Sequence, residues 1–367
     1  MLDIASIPER LLSATVRRPG RDRSALSALH SWDRLEDIRQ PPEGGTTRGA
    51  RTNNAREIQP VFQNLPGKVY IREVSPRDGL QAEGKFFPTQ KKAELIRRLA
   101  AAGLPHIELT SFVNPKWIPA LADCAEIAAM FSALEGVDTS ALVPNLKGLE
   151  GARSAGMRQV NVFLSATESH NKANINKSIE ETFTQFAELI PASKEAGMSV
   201  VGTISVVMGC PYEGEVPPAR IGTMARRLAV LGVDFLMLGD TVGMGTPMHT
   251  ARMLEAVLPQ FQTGRVGLHL HDTRGMALAN ALTGVEMGVR CFDGSLGGLG
   301  GCPYAPGATG NVPTENLVYM FQGLGIETGI DLEALLETGE WLEKELGREL
   351  PSAGLRAYMA RRKAPLH

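Results

Sequence analysis

Two histidines, His269 and His271, stand one residue apart. In an extended strand, side chains at i and i+2 share a face, so both imidazoles would aim at one point. Two convergent imidazoles make a metal pair. Asp78 could add a hard oxygen, and Asn311, in Gly310-Asn311, an amide oxygen. Mixed nitrogen and oxygen ligation with few charges suits Mg2+ or Mn2+ and also admits Zn2+ or Co2+. Such a site, with positions left open, can hold a chelating substrate and polarise its oxygens. Arg77 precedes Asp78 directly. A guanidinium there can stabilise charge developing on an enolate oxygen, or form a structural ion pair with Glu108 or Asp240. Cys302 sits in GGLGGCPYA, where four of the five residues 297–301 are glycine. That composition suits a moving loop, and a thiol carried on it can transfer a proton. Cys124 in an Ala-rich helix, Cys210 before a proline in a turn and Cys291 at the start of a strand read as inert.

These side chains need a scaffold, and the chain supplies a repeating one after Pro66-Gly67. Short apolar runs alternate with longer stretches of helical period. The spacing predicts strands at 69–74, 106–110, 139–143, 159–164, 199–206, 235–239, 266–271 and 291–295. It predicts helices near 89–102, 117–133, 146–155, 178–196, 217–231, 248–260 and 276–287. Gly103, Gly156, Gly197, Gly232 and Gly288 fall where helices end in a left-handed residue. Eight strand–helix units in about 260 residues is the size of a (β/α)8 TIM barrel. The rival, a doubly wound sheet, would need a phosphate loop after its first strand, and no G-x-G-x-x-G follows it. Barrel enzymes place their chemistry at the C-terminal ends of strands. There the sequence has Arg77 and Asp78, Glu108, Asp240, His269 and His271, and the glycine-rich run to Cys302. Gln81 after the first strand and Thr241 after the sixth are candidate substrate contacts.

The division expected is an N-terminal extension over 1–66, the barrel over 67–330 and a C-terminal helical extension over 331–367. Residues 1–66 hold ten Arg, eight acids and no Lys, with few apolar residues over 17–57, and read as a disordered tail without catalytic role. They lack the apolar run of a secretory signal, and their acids argue against a transit peptide. The whole chain of 367 residues carries 38 basic and 40 acidic groups, a net charge of −2. That balance gives no electrostatic reason to expect nucleic acid or an anionic membrane as partner. No apolar run approaches the roughly 20 residues of a membrane span. Four dispersed cysteines make no disulfide framework, which points to a reducing compartment.

VYIREVSPRDGLQAE, ELTSFVNPKW, VPNLKGLEGA, NINKSIEETF, GCPYEG, LGDTVGMGTP, HLHDTRGMALAN and GLGGCPYAPGATGN run in order from about Val69 to Ile330. Together they resemble 3-hydroxy-3-methylglutaryl-CoA lyase. The cysteine-loop run is the most specific; the R-D-G-L-Q and H-x-H runs also occur in isopropylmalate and homocitrate synthases and in carboxyltransferases. The resemblance implies a metal-dependent retro-Claisen lyase of leucine catabolism, with an acyl-CoA substrate and a Mg2+ or Mn2+ cofactor. It implies metal ligation by Asp78, His269, His271 and Asn311, enolate neutralisation by Arg77, a loop acid at Cys302, and supporting acids at Glu108 and Asp240. Gln81-Ala82-Glu83-Gly84 departs from the family's usual Q-N-E-K, in a region that could touch the CoA end. A homodimer or higher homo-oligomer in a bacterial cytoplasm is expected, with the mitochondrial matrix as the alternative. The rival activities are a lyase for a longer 3-hydroxy-3-alkylglutaryl-CoA and a Claisen-type synthase joining an acyl-CoA to a 2-oxo acid.

Overall fold

The computed structural model describes residues 62, 64–84, 86–261, 264–301 and 310–363. Nearly all of the extension assigned to 1–66, and residues 302–309 with Cys302, lie outside the described residues. The strands are β1 (Tyr70–Glu73), β2 (His106–Ser111), β3 (Asp138–Leu142), β4 (Gln159–Ser165), β5 (Ser199–Ser205), β6 (Phe235–Asp240), β7 (Val266–Leu270) and β8 (Cys291–Gly294). Each expected strand is present, with its ends within one residue of expectation. All pairings are parallel, and β8 returns to β1, so the sheet is a closed eight-stranded barrel.

The helices are α1 (Thr89–Ala101), α2 (Cys124–Phe131), α3 (Leu146–Ser154), α4 (Glu168–Ile175), α5 (Ile179–Glu195), α6 (Pro218–Val230), α7 (Pro247–Val257), α8 (Ala277–Glu286), α9 (Thr314–Gly323), α10 (Leu332–Leu346) and α11 (Ala353–Lys363). Their starts follow local chemistry. Asn145 and Thr246 accept backbone N–H groups of the first turns of α3 and α7, and Ser178 with Glu181 forms a reciprocal cap on α5.

Two expected helices are shorter than their periodicity suggested. The stretch from residue 117 begins with a separate 3-10 turn at Pro119–Leu121, and α2 starts only at Cys124. A proline's fixed φ and missing N–H suit the start of a turn and interrupt a longer helix. Likewise α7 stops at Val257 and Leu258–Gln260, which contains Pro259, tightens into a 3-10 turn. Periodicity missed α4 and α9. α4 is one short, polar helix with His170 and Asn171 as its buried residues.

Strand parity separates two environments. Alternate residues face outward and join the large apolar layer between strands and helices, with Ile71, Val160, Val162, Leu236 and Leu268 fully or nearly fully buried there. Inside the barrel, Tyr70, Val201, Phe235, Met237 and Cys291 form a separate apolar plug. Two residues further along, the inward positions become Arg72, Thr203 and Asp293, which line a cavity opening at the C-terminal ends of the strands. Beyond the barrel, α10 packs on α1, where Lys91 Nζ lies 2.8 Å from a Glu345 carboxylate oxygen. No helix among the described residues is long and apolar enough to cross a membrane.

Candidate active site

The mouth is assembled from strand ends that diverge into loops. After β1 the chain makes a wide turn, Ser75–Gly79, in which the N–H groups of Asp78 and Gly79 both reach the Val74 carbonyl. This turn brings Arg77 and Asp78, which would alternate on a strand, to the same cavity. Gly79 leaves no room for a side chain: an added Cβ would lie 2.9 Å from both Leu299 and Ser295. At the far side, His271 follows β7 and pairs with Asn311 through an antiparallel bridge. The backbone therefore ties these two candidate ligands together.

Asp78, His269 and His271 bring one ligand atom each to within 4.8 Å of one another. The Nε2 atoms of His269 and His271 lie 3.2 Å apart. That separation matches neighbouring positions on one ion at bond lengths of about 2.1 Å. Burial, then the neighbouring His269, pushes the His271 pKa down to about 3, so this ring is neutral at ordinary pH. Burial would raise the Asp78 carboxyl, but Arg77, with His269 and His271, holds it well below the usual carboxylate range. Asn311 Nδ2 donates to Asp78 Oδ2 at 2.7 Å and to the Leu299 carbonyl at 3.1 Å. Its Oδ1 is buried and has no hydrogen-bond partner among the described residues. Two imidazoles that converge on one point, an ionised carboxylate and an amide oxygen fit a divalent cation.

Arg77 is shared between two acids. Its Nε donates to Glu108 Oε2 at 2.7 Å and its Nη1 to Asp78 Oδ1 at 2.7 Å. The other Glu108 oxygen accepts from Asn161 Nδ2. Glu108 thus fixes the guanidinium beside the metal group. Gln81 and Thr241 line the same cavity of about 720 Å3. Asp240 does not line it. Its carboxylate turns into the loop after β6 and accepts the Met244 and Gly245 N–H groups at 3.0 and 2.9 Å. Burial raises its pKa. Cys302 lies outside the described residues. Of the other cysteines, Cys210 and Cys291 are buried and Cys124 is half-buried.

The spacing of motifs gave no sign of Arg72, Asn161 and Asp293, which also line the cavity. The available signal was polarity on inward strand positions: an acid in the four-residue buried strand CFDG, and an arginine in YIRE. Trp117 and Asn114 line the outer part of the cavity, and Trp117 is largely exposed.

The sequence and the fold have counterparts among known proteins. A family model described as HMGL-like matches residues 68–342. A hydroxymethylglutaryl-CoA lyase of Bacillus subtilis is 45% identical over 80% of this chain and 98% of its own length. The mitochondrial hydroxymethylglutaryl-CoA lyase of Bos taurus is 48% identical over 78% of this chain and 89% of its own. A solved HMG-CoA lyase of Acinetobacter baumannii, in complex with coenzyme A and 3-methylmalate, aligns with a TM-score of 0.77 and 39% identity. That alignment covers 82% of this chain and 97% of the other.

Proposed function

The chain belongs to the HMGL-like family, and we propose that it is the lyase that cleaves 3-hydroxy-3-methylglutaryl-CoA to acetyl-CoA and acetoacetate. The observation that carries this reading is the joining of Asp78, His269, His271 and the Glu108-held Arg77 at one cavity. The reaction is a retro-Claisen cleavage. A base takes the 3-hydroxyl proton, C3 becomes the ketone carbon of acetoacetate, and the C2–C3 electron pair passes to the thioester as an enolate. Protonation at C2 completes acetyl-CoA.

Asp78, His269, His271 and Asn311 Oδ1 would hold a divalent ion, Mg2+ or Mn2+, which supplies Lewis acidity to substrate oxygens when bound. We assign the acceptor of the 3-hydroxyl proton to Asp78, the carboxylate that stands with His269 and His271 at the cavity. Arg77 stabilises the enolate oxygen. Its ion pairs to Glu108 and Asp78 hold the planar group in place before the negative charge develops. Gln81 and Thr241 contact the substrate. Cys302 delivers the proton to C2. Four dispersed cysteines without disulfide spacing support a reducing compartment, read as a bacterial cytoplasm with the mitochondrial matrix as the alternative.

The test is acetyl-CoA release across a panel of 3-hydroxyacyl-CoA thioesters. The methyl substrate should give the highest kcat/KM. A longer 3-alkyl analogue turned over faster would overturn the substrate assignment. Cys302→Ser should lower turnover by roughly two to four orders of magnitude and leave Mn2+ binding intact; near-wild-type turnover would remove the thiol from the mechanism.

A further inference from the structure

We propose that Asp293 is a positioning residue for the metal centre: it holds His269 in the tautomer that frees Nε2 for ligation, and Arg72 in turn holds Asp293. The inference rests on the reading that Asp78, His269 and His271 bind a divalent ion. It assigns work to two cavity residues that the reaction above leaves without a role.

Register creates the contact. His269 on β7 lies opposite Asp293 on β8, and Asp293 lies opposite Arg72 on β1. All three face inward, so their side chains form a row beneath the mouth. Asp293 Oδ2 is 3.1 Å from His269 Nδ1. An ionised carboxylate only accepts hydrogen bonds, so the proton of a neutral His269 ring belongs on Nδ1. The lone pair then sits on Nε2, the atom that faces His271 Nε2. The other tautomer would set the Nδ1 lone pair against a carboxylate and aim an N–H at the ligand group. A carboxylate behind a ligating imidazole orients the ring and makes it a better donor.

Arg72 completes the row. Its Nε lies 3.6 Å from Asp293 Oδ1, the oxygen that His269 does not use. Arg72 is 1% exposed, and its Nε and Nη1 make no hydrogen bond among the described residues. A buried guanidinium is costly unless an opposite charge is near, and the Asp293 carboxylate is the group that faces it. One carboxylate oxygen is drawn to the arginine and the other to the imidazole. This fixes the plane of the carboxylate and, through it, the ring.

The proposal is tested on metal-free protein labelled with 15N-histidine, with the His269 signals assigned by their loss in His269→Gln. At a pH high enough to leave the ring neutral, the wild type should show His269 protonated at Nδ1 and bare at Nε2. In Asp293→Asn that pattern should give way to a tautomer mixture, and the Mn2+ Kd should rise by roughly ten- to a hundredfold. The melting temperature should stay close to wild type. Asp293→Glu, which keeps the charge, should recover part of the Mn2+ affinity, and Arg72→Met should weaken it less than Asp293→Asn does. A His269 tautomer and a Mn2+ Kd both unchanged in Asp293→Asn would overturn the proposal. Failure of wild-type protein to bind Mn2+ would instead overturn the metal reading beneath it. The spectrum of the metal-free protein needs no ion and tells the two failures apart.

Discussion

The same strands build two unlike ends of the barrel. At the N-terminal end, Tyr70, Val201, Phe235, Met237 and Cys291 fill the interior, all at 7% exposure or less. They pack so closely around Gly267 that an added Cβ would lie 3.0 Å from the Phe235 ring, and closer still to the Met237 sulfur. Burial pushes the Cys291 thiol up to about 12, so the plug carries no charge from it at ordinary pH. One inward step along, β8 changes from Cys291 to Asp293, β7 from Gly267 to His269, and β1 from Tyr70 to Arg72. Charged groups there are nearly as buried as the plug, yet buried polar atoms of Arg72, Asp293 and Asn311 have no hydrogen-bond partner among the described residues. The difference separates stability from function along single strands. The floor gains free energy from apolar burial, and the mouth keeps desolvated charge that a bound ion and substrate would satisfy.

The largest expected effect is at the mouth. His271→Ala removes one imidazole from the metal group. We expect turnover to fall by at least about three orders of magnitude, with the melting temperature nearly unchanged. Chelation of wild-type protein should do the same, and Mg2+ or Mn2+ should restore it. Full turnover after exhaustive EDTA treatment would show that the polar mouth serves something other than a metal. Arg77→Gln should be next. It removes the charge that meets the enolate and should cost roughly 10²–10³ in kcat, a usual loss for one oxyanion-stabilising donor. A loss confined to KM would mean that Arg77 binds ground state and transition state equally.

The floor should answer in the opposite currency. Phe235→Ala deletes a fully buried ring from the plug. It should destabilise the protein by about 3–5 kcal/mol in urea unfolding. At temperatures where the variant stays folded, kcat should change less than about threefold. A collapse of kcat in folded Phe235→Ala would join the two ends that the comparison holds apart.

Much of this division was legible in the sequence because its rules are local. Strand parity placed His269 and His271 on one face, and helix-ending glycines marked the repeat. The Arg77–Asp78 pair stood out at a predicted strand end beside a proline. What escaped depended on neighbours in space. The Asp293–His269 pair exists because β7 and β8 align at one register, which spacing within either strand does not contain. Arg72 looks like any residue of YIRE until the barrel closes β1 onto β8. Asp240 sits at a strand end as expected, but the N–H groups of Met244 and Gly245 draw its carboxylate away from the cavity. α4 was missed because its side chains carry almost no apolar stripe for periodicity to detect.

The smallest expected effect concerns a charge on the outer face at the mouth. Glu73 follows Arg72 on β1, so its side chain leaves the barrel interior and is fully buried beneath the segment after β8. One carboxylate oxygen accepts the Ser75 and Leu296 N–H groups at 2.8 and 3.0 Å, and the other accepts the Thr314 hydroxyl at 2.7 Å. Burial nevertheless raises its pKa to about 7, because these bonds offset only part of the lost hydration. The folded chain therefore holds the Glu73 proton more tightly than the unfolded chain does. Stability from this group is highest below the unfolded pKa, falls as pH rises from about 4.5, and reaches its floor above about 7. Glu73→Gln cannot ionise, and the Thr314 hydroxyl can turn to accept from the new amide. Its unfolding free energy should therefore gain on the wild type between pH 5 and 8 by up to roughly 2–4 kcal/mol. Cys291, held at about 12, contributes no such slope in that window, so the contrast again falls between mouth and floor. Urea unfolding of both proteins at several pH values reads the difference directly. Parallel curves for wild type and Glu73→Gln would mean that Glu73 is already ionised at pH 5, and that its three hydrogen bonds outweigh its burial.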